Sequence, residues 1–85
     1  MREEFRSTSA MVETFIQSSV WLDIADELKE MIEEAQANML SEKDMVELYR
    51  FQGRIDALTV CLGLPQVFKE SLEHDEIQNV KKGDE

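Results

Sequence analysis

Two apolar stripes organise this chain. The first comprises Trp21, Ala25, Leu28, Ile32, Ala35 and Met39, and the second Leu48, Phe51, Ile55, Leu58 and Leu62. Both advance by alternating steps of three and four residues, which places each set on one side of an α-helix. Leu40, Ser41, Glu42, Lys43 and Asp44 separate them, a pattern that predicts a helical hairpin with the stripes closed on each other. Ser18 and Ser19 are good N-cap residues, so the first helix is expected from Ser19 to Asn38. Ser41 is expected to open the second, with Asp44 three residues on as an acidic variant of the capping box. This helix is expected to stop at Leu62, because Gly63 suits the residue after a helix end. Pro65 suits the first position of a new helix, giving a short third helix over residues 66–73 with Val67, Phe68 and Leu72 apolar. A turn around Leu40 would set Trp21 opposite Leu58 and Leu62, Ala25 opposite Ile55, Leu28 opposite Phe51 and Gln52, and Ile32 opposite Leu48. Truncating Leu28, Ile55 or Leu58 to Ala would then cost about 2–5 kcal/mol each if they are buried.

The flanks are less patterned. Residues 1–18 form an N-terminal arm whose centre, Met11-Val12-Glu13-Thr14-Phe15-Ile16, allows a short helix and equally an extended segment. Residues 74–85 are charged and poor in apolar side chains, as expected of a solvated tail. The fold class is therefore all-α: an antiparallel hairpin, residues 19–73 with the short C-terminal helix included, between an arm and a tail.

With 85 residues, the chain is one small domain, and such domains bury only about 60% of their unfolded surface. Small chains usually add disulfides, a metal or a partner subunit. Cys61 is the single cysteine and His74 the single histidine, so self-association or docking on a partner is the expected route. The second helix supplies a surface for it. Val46, Tyr49, Gly53, Ala57, Val60 and Leu64 form a second apolar side, and a helix apolar on two sides is covered twice. Tyr49, Gly53, Ala57 and Val60 are the expected self-association residues; cover by the arm and the short helix is the competing explanation. Met11, Phe15 and Ile16 of the arm are the expected docking residues for a protein partner.

The formal net charge of −10 disfavours direct contact with nucleic acid or an anionic membrane surface and favours a basic partner. Asp23, Glu27, Glu30 and Glu34 form an acidic face on the first helix, read either as a solvated face or as a mimic of nucleic acid. No segment approaches the run of about 20 apolar residues that spans a membrane. The start, Met1-Arg2-Glu3-Glu4, lacks the apolar centre of a signal peptide, so a cytoplasmic protein is expected. With one peripheral histidine there is no Ser/His/Asp or Cys/His constellation, and no glycine-rich phosphate loop. Cys61, inside an apolar run, is expected to be a small core residue. No catalytic residue, cofactor or metal is expected.

Ser19-Val20-Trp21-Leu22-Asp23-Ile24, Phe51-Gln52-Gly53-Arg54-Ile55-Asp56-Ala57-Leu58 and Leu64-Pro65 resemble small acidic proteins encoded by tailed bacteriophages. The resemblance covers about residues 15–72. It implies a helical phage protein, in the virion or the host cytoplasm, that assembles with virion components or acts on a host or phage partner. It transfers no functional residue. The function expected is a non-enzymatic interaction or assembly module; the alternative is an acidic inhibitor that mimics nucleic acid.

Overall fold

A computed structural model describes residues 5–83, with side chains through Gln78. Residues 1–4 of the expected arm and 84–85 of the expected tail lie outside the described residues. All regular structure among the described residues is helical: α1 (Ser9–Ile16), α2 (Ser19–Ser41) and α3 (Met45–Gly83). The arm thus contains a helix. Thr8 caps it, its Oγ1 accepting from the Met11 N–H at 3.3 Å. Ser18 serves both neighbouring helix ends: its Oγ donates to the Phe15 carbonyl at 2.6 Å and accepts from the Trp21 N–H at 3.2 Å. One hydroxyl therefore joins the Ser18 amide on the Phe15 carbonyl of α1 and satisfies an orphan amide of α2.

The connection between α2 and α3 falls later than the sequence pattern predicts. Ser41 is the last residue of α2 rather than the opening of the next helix. Asp44 instead starts α3, its Oδ1 accepting from the Val46 N–H at 2.9 Å and its carbonyl from the Leu48 N–H. Glu42 stiffens the link by accepting from the Lys43 and Asp44 amides, both at 3.0 Å. Moving the turn from Leu40 to Lys43 slides the facing register by nearly two helical turns. Arg54 accordingly lies beside Met31, Glu34, Ala35 and Asn38, whereas a turn at Leu40 would bring it level with Asp26. Arg50 pairs within its own helix, with Glu47 at 2.9 Å.

The larger difference is in α3. The expected stop at Gly63, the new start at Pro65 and the solvated tail are replaced by one continuous helix of 39 residues. Gly63 has no positive φ, so it lacks the conformation of a helix-ending glycine. Pro65 lies inside the helix and supplies no amide to the carbonyl four residues back. That carbonyl belongs to Cys61, an exposed residue. Cys61 is thus exposed, not a core residue, because it lies between the two apolar sides of α3.

Packing explains the continuation. All eleven stripe residues are buried or half-buried, with Ala25 and Ala35 buried, and α2 packs along α3. The three-four alternation of α3 does not end at Leu62. It continues through Pro65, Lys69, Leu72 and Glu76, all buried or half-buried, and α1 packs on this distal part. The core is thin. Among the described residues the buried apolar side chains are Val12, Ala25, Ala35 and Leu72, and no large side chain is fully enclosed. Leu28, Ile55 and Leu58 are half-buried, which places their truncation near the low end of the expected range, about 2 kcal/mol. The molecule measures 61 × 29 × 15 Å, with a radius of gyration of 17.9 Å; a compact domain of this length has about 12 Å.

Candidate interaction surfaces

Polar contacts fix α1 against distal α3. The Lys69 ammonium lies 3.0 Å from Glu13 Oε2, and Gln17 Nε2 donates to Glu13 Oε1 at 3.0 Å. The hydrogen bond from Lys69, then its charge, holds the Glu13 carboxyl below its usual range; the same bond raises the Lys69 ammonium. At the other end of α1, Glu76 accepts from Ser9 Oγ at 2.6 Å and from the Ser9 amide at 3.0 Å. A carboxylate from α3 thus meets the amide end of α1, where the helix dipole favours negative charge. These two Ser9 bonds hold the Glu76 carboxyl below its usual range. Phe5 packs edge-on against Phe68, with ring centroids 5.1 Å apart.

Docking α1 this way creates an apolar groove. Met11, Val12 and Phe15 form one wall, Leu64, Pro65 and Phe68 the other, and the space measures about 590 Å³. Met11 is 57% exposed and Leu64 55%, so the groove is open along its length. Phe15 also meets Trp21, with ring centroids 5.4 Å apart, which ties the groove wall to the start of α2. Of the three expected arm residues, Met11 and Phe15 line the groove. Ile16 does not; it is half-buried on the stripe Ser9, Val12, Ile16.

The four expected self-association residues share one exposed side of α3. Tyr49 is 70% exposed and Val60 65%. A Cβ added at Gly53 would meet nothing within 4 Å, and Ala57 is exposed. The arm and distal α3 leave this side bare, so the competing expectation of cover by the arm and a short third helix does not hold. Val46, Leu64 and Val67, all exposed, extend the stripe at both ends. Gln52, at the edge, donates to Asp56 at 3.0 Å.

Asp23, Glu27, Glu30 and Glu34 are all exposed. Glu27, Glu30, Glu33 and Glu34 surround Met31 in a shallow hollow on α2; Asp23 lies outside it, nearer the helix start. None of these side chains forms an ion pair among the described residues. No three His, Cys, Asp or Glu side chains gather to hold a metal ion among the described residues, and no helix there is long and apolar enough to cross a membrane.

The sequence reading missed Ser9, Glu13, Lys69 and Glu76. A signal existed, since Lys69 and Glu76 continue the three-four alternation, but it is invisible to a search for apolar residues only. No protein-family model, curated protein or solved structure matches this chain.

Proposed function

We propose that this chain is a non-enzymatic interaction module, a helical hairpin that assembles with other protein chains through apolar surface. The observation that carries the reading is surface area. The chain exposes 6995 Å², whereas a compact monomer of its mass exposes about 5,200 Å². The excess is of the size that protein interfaces cover. It includes the α1–α3 groove, which suits an apolar segment of a partner, and the outer side of α3, which suits self-association. The resemblance to phage proteins fits an assembly accessory of a virion, acting there or in the host cytoplasm.

The acidic hollow around Met31 favours a second reading, an inhibitor that presents carboxylates in place of phosphates to a basic protein. The two readings separate in one experiment. The wild-type chain, a Met11→Lys/Phe15→Ala variant and a Glu27→Lys/Glu30→Lys/Glu34→Lys variant are immobilised, and retained proteins are compared across salt. Loss with the arm variant, retention with the lysine variant and weak salt dependence are expected. The opposite pattern, with binding that falls steeply with salt, makes the mimic the function.

A further inference from the structure

We infer that the outer stripe of α3 docks on the same stripe of a second copy, in antiparallel orientation, about a twofold axis that passes between Asp56 and Ala57. The inference rests on the assembly reading and assigns one of its surfaces. The stripe lies opposite the side that α1 and α2 cover, and it bears no charge along its centre from Val46 to Val67, about 32 Å of helix. Beyond Val67 the same line becomes polar, at Ser71, Asp75 and Gln78. The apolar stretch therefore has two defined ends.

Those ends set the register. Val46 and Val67 are equidistant from the midpoint between Asp56 and Ala57. Tyr49 and Leu64 share that midpoint, and so do Gly53 and Val60. Reversing one copy brings Val46 onto Val67, the large Tyr49 onto Leu64, and Val60 onto the open site at Gly53, where a Cβ would meet nothing within 4 Å of its own chain. Ala57 lies at the axis, where a small side chain permits close approach; Asp56, equally near the axis, stands at the edge of the stripe, where its carboxylate accepts from Gln52 at 3.0 Å. A twofold contact requires this self-complementarity. A parallel pair would stack Tyr49 on Tyr49 and leave Gly53 facing Gly53. The occupant is a second copy because the chain exposes about 1,800 Å² more than a compact monomer of its mass, which exceeds the roughly 800 Å² per partner that a standard interface covers, and because the uncharged centre of the stripe lets two copies of this acidic chain meet along it.

The test uses the full chain with Cys61→Ser, so that each added cysteine stands alone. Light scattering at about 50 μM should give about twice the 9.9 kDa chain mass. Under mild oxidation Ala57→Cys should cross-link to completion, since its two copies meet at the axis. Tyr49→Cys should not, because its copies are about 22 Å apart along the helices. The Tyr49→Cys/Leu64→Cys double variant should cross-link again. Gly53→Glu should return the mass to that of a monomer while circular dichroism stays helical. A monomeric chain at 50 μM overturns the proposal, as does cross-linking of Tyr49→Cys as complete as that of Ala57→Cys. A monomer whose partner is still lost with the arm variant overturns this interface and leaves the docking reading standing.

Discussion

The two halves of this molecule are held by different physics. Between α2 and α3 the contact is a stripe of apolar side chains closing at Ala25 and Ala35. Between α1 and distal α3 an apolar strip around Val12 and Leu72 is framed by Glu13–Lys69 and Ser9–Glu76. The first half is specified by what leaves water. The second is specified by polar partners that lie far apart in sequence and must meet. That contrast indicates which half tolerates substitution by similar apolar residues, and which half responds to pH.

The largest expected effect is at Leu72, the most enclosed large side chain of the α1 half, at 4% exposure. Leu72→Ala should cost about 2–5 kcal/mol, measured by chemical denaturation. Leu58→Ala, half-buried in the α2 half, should cost about 2 kcal/mol. Equal losses would mean that the two halves do not differ in how tightly they enclose side chains. Next comes Pro65. Inside a helix a proline costs about 3 kcal/mol relative to alanine, so Pro65→Ala should raise the melting temperature, less the packing its ring gives the groove. At the start of a separate helix the same proline would cost almost nothing, and the change would be flat or negative. A smaller gain, about 0.5–1 kcal/mol, is expected for Gly63→Ala, because Gly63 is helical and a Cβ there meets nothing within 4 Å. A helix-ending glycine would give a loss instead.

The subtlest effect is on pH. The carboxyls of Glu13 and Glu76 lie below their unfolded values, so each stabilises the docked α1 fully above the unfolded range. That stabilisation fades as pH falls through the lowered range. Trp21 emission, which senses Phe15 across the α1–α2 junction, should change on acidification, and Glu76→Gln should weaken the dependence. An unchanged profile in the double variant Glu13→Gln/Glu76→Gln would remove polar pairing as the fastening of α1.

The α2–α3 half was legible because burial there is apolar, and apolar periodicity is what sequence reading detects best. Every residue of both stripes lies inward, and Ser18 caps α2 as its position suggests. The turn was misplaced because Ser41 and Asp44 are both acceptable caps; Glu42, bracing the link through two backbone amides, decides for Asp44. Distal α3 was illegible because Gly63 and Pro65 carry the local signals of a helix end, and those signals are weak beside tertiary contact. Docking of α1 overrides them. Of the candidate surfaces, the outer stripe of α3 was readable from spacing alone. The groove was not, since it exists only where two segments about 50 residues apart in sequence are brought side by side.

The Ser9–Glu76 contact spans 67 residues of chain, and this separation sets an order of events. Closing the turn at residues 42–44 costs little loop entropy, whereas joining residue 9 to residue 76 requires everything between to be in place. Folding is therefore expected to zip from the turn outward, with α1 settling last. Met11 and Phe15 ride on α1 and face Leu64, Pro65 and Phe68 of distal α3, so a ligand seated in the groove would bridge the two segments that meet last and act as a latch that closes the fold behind it.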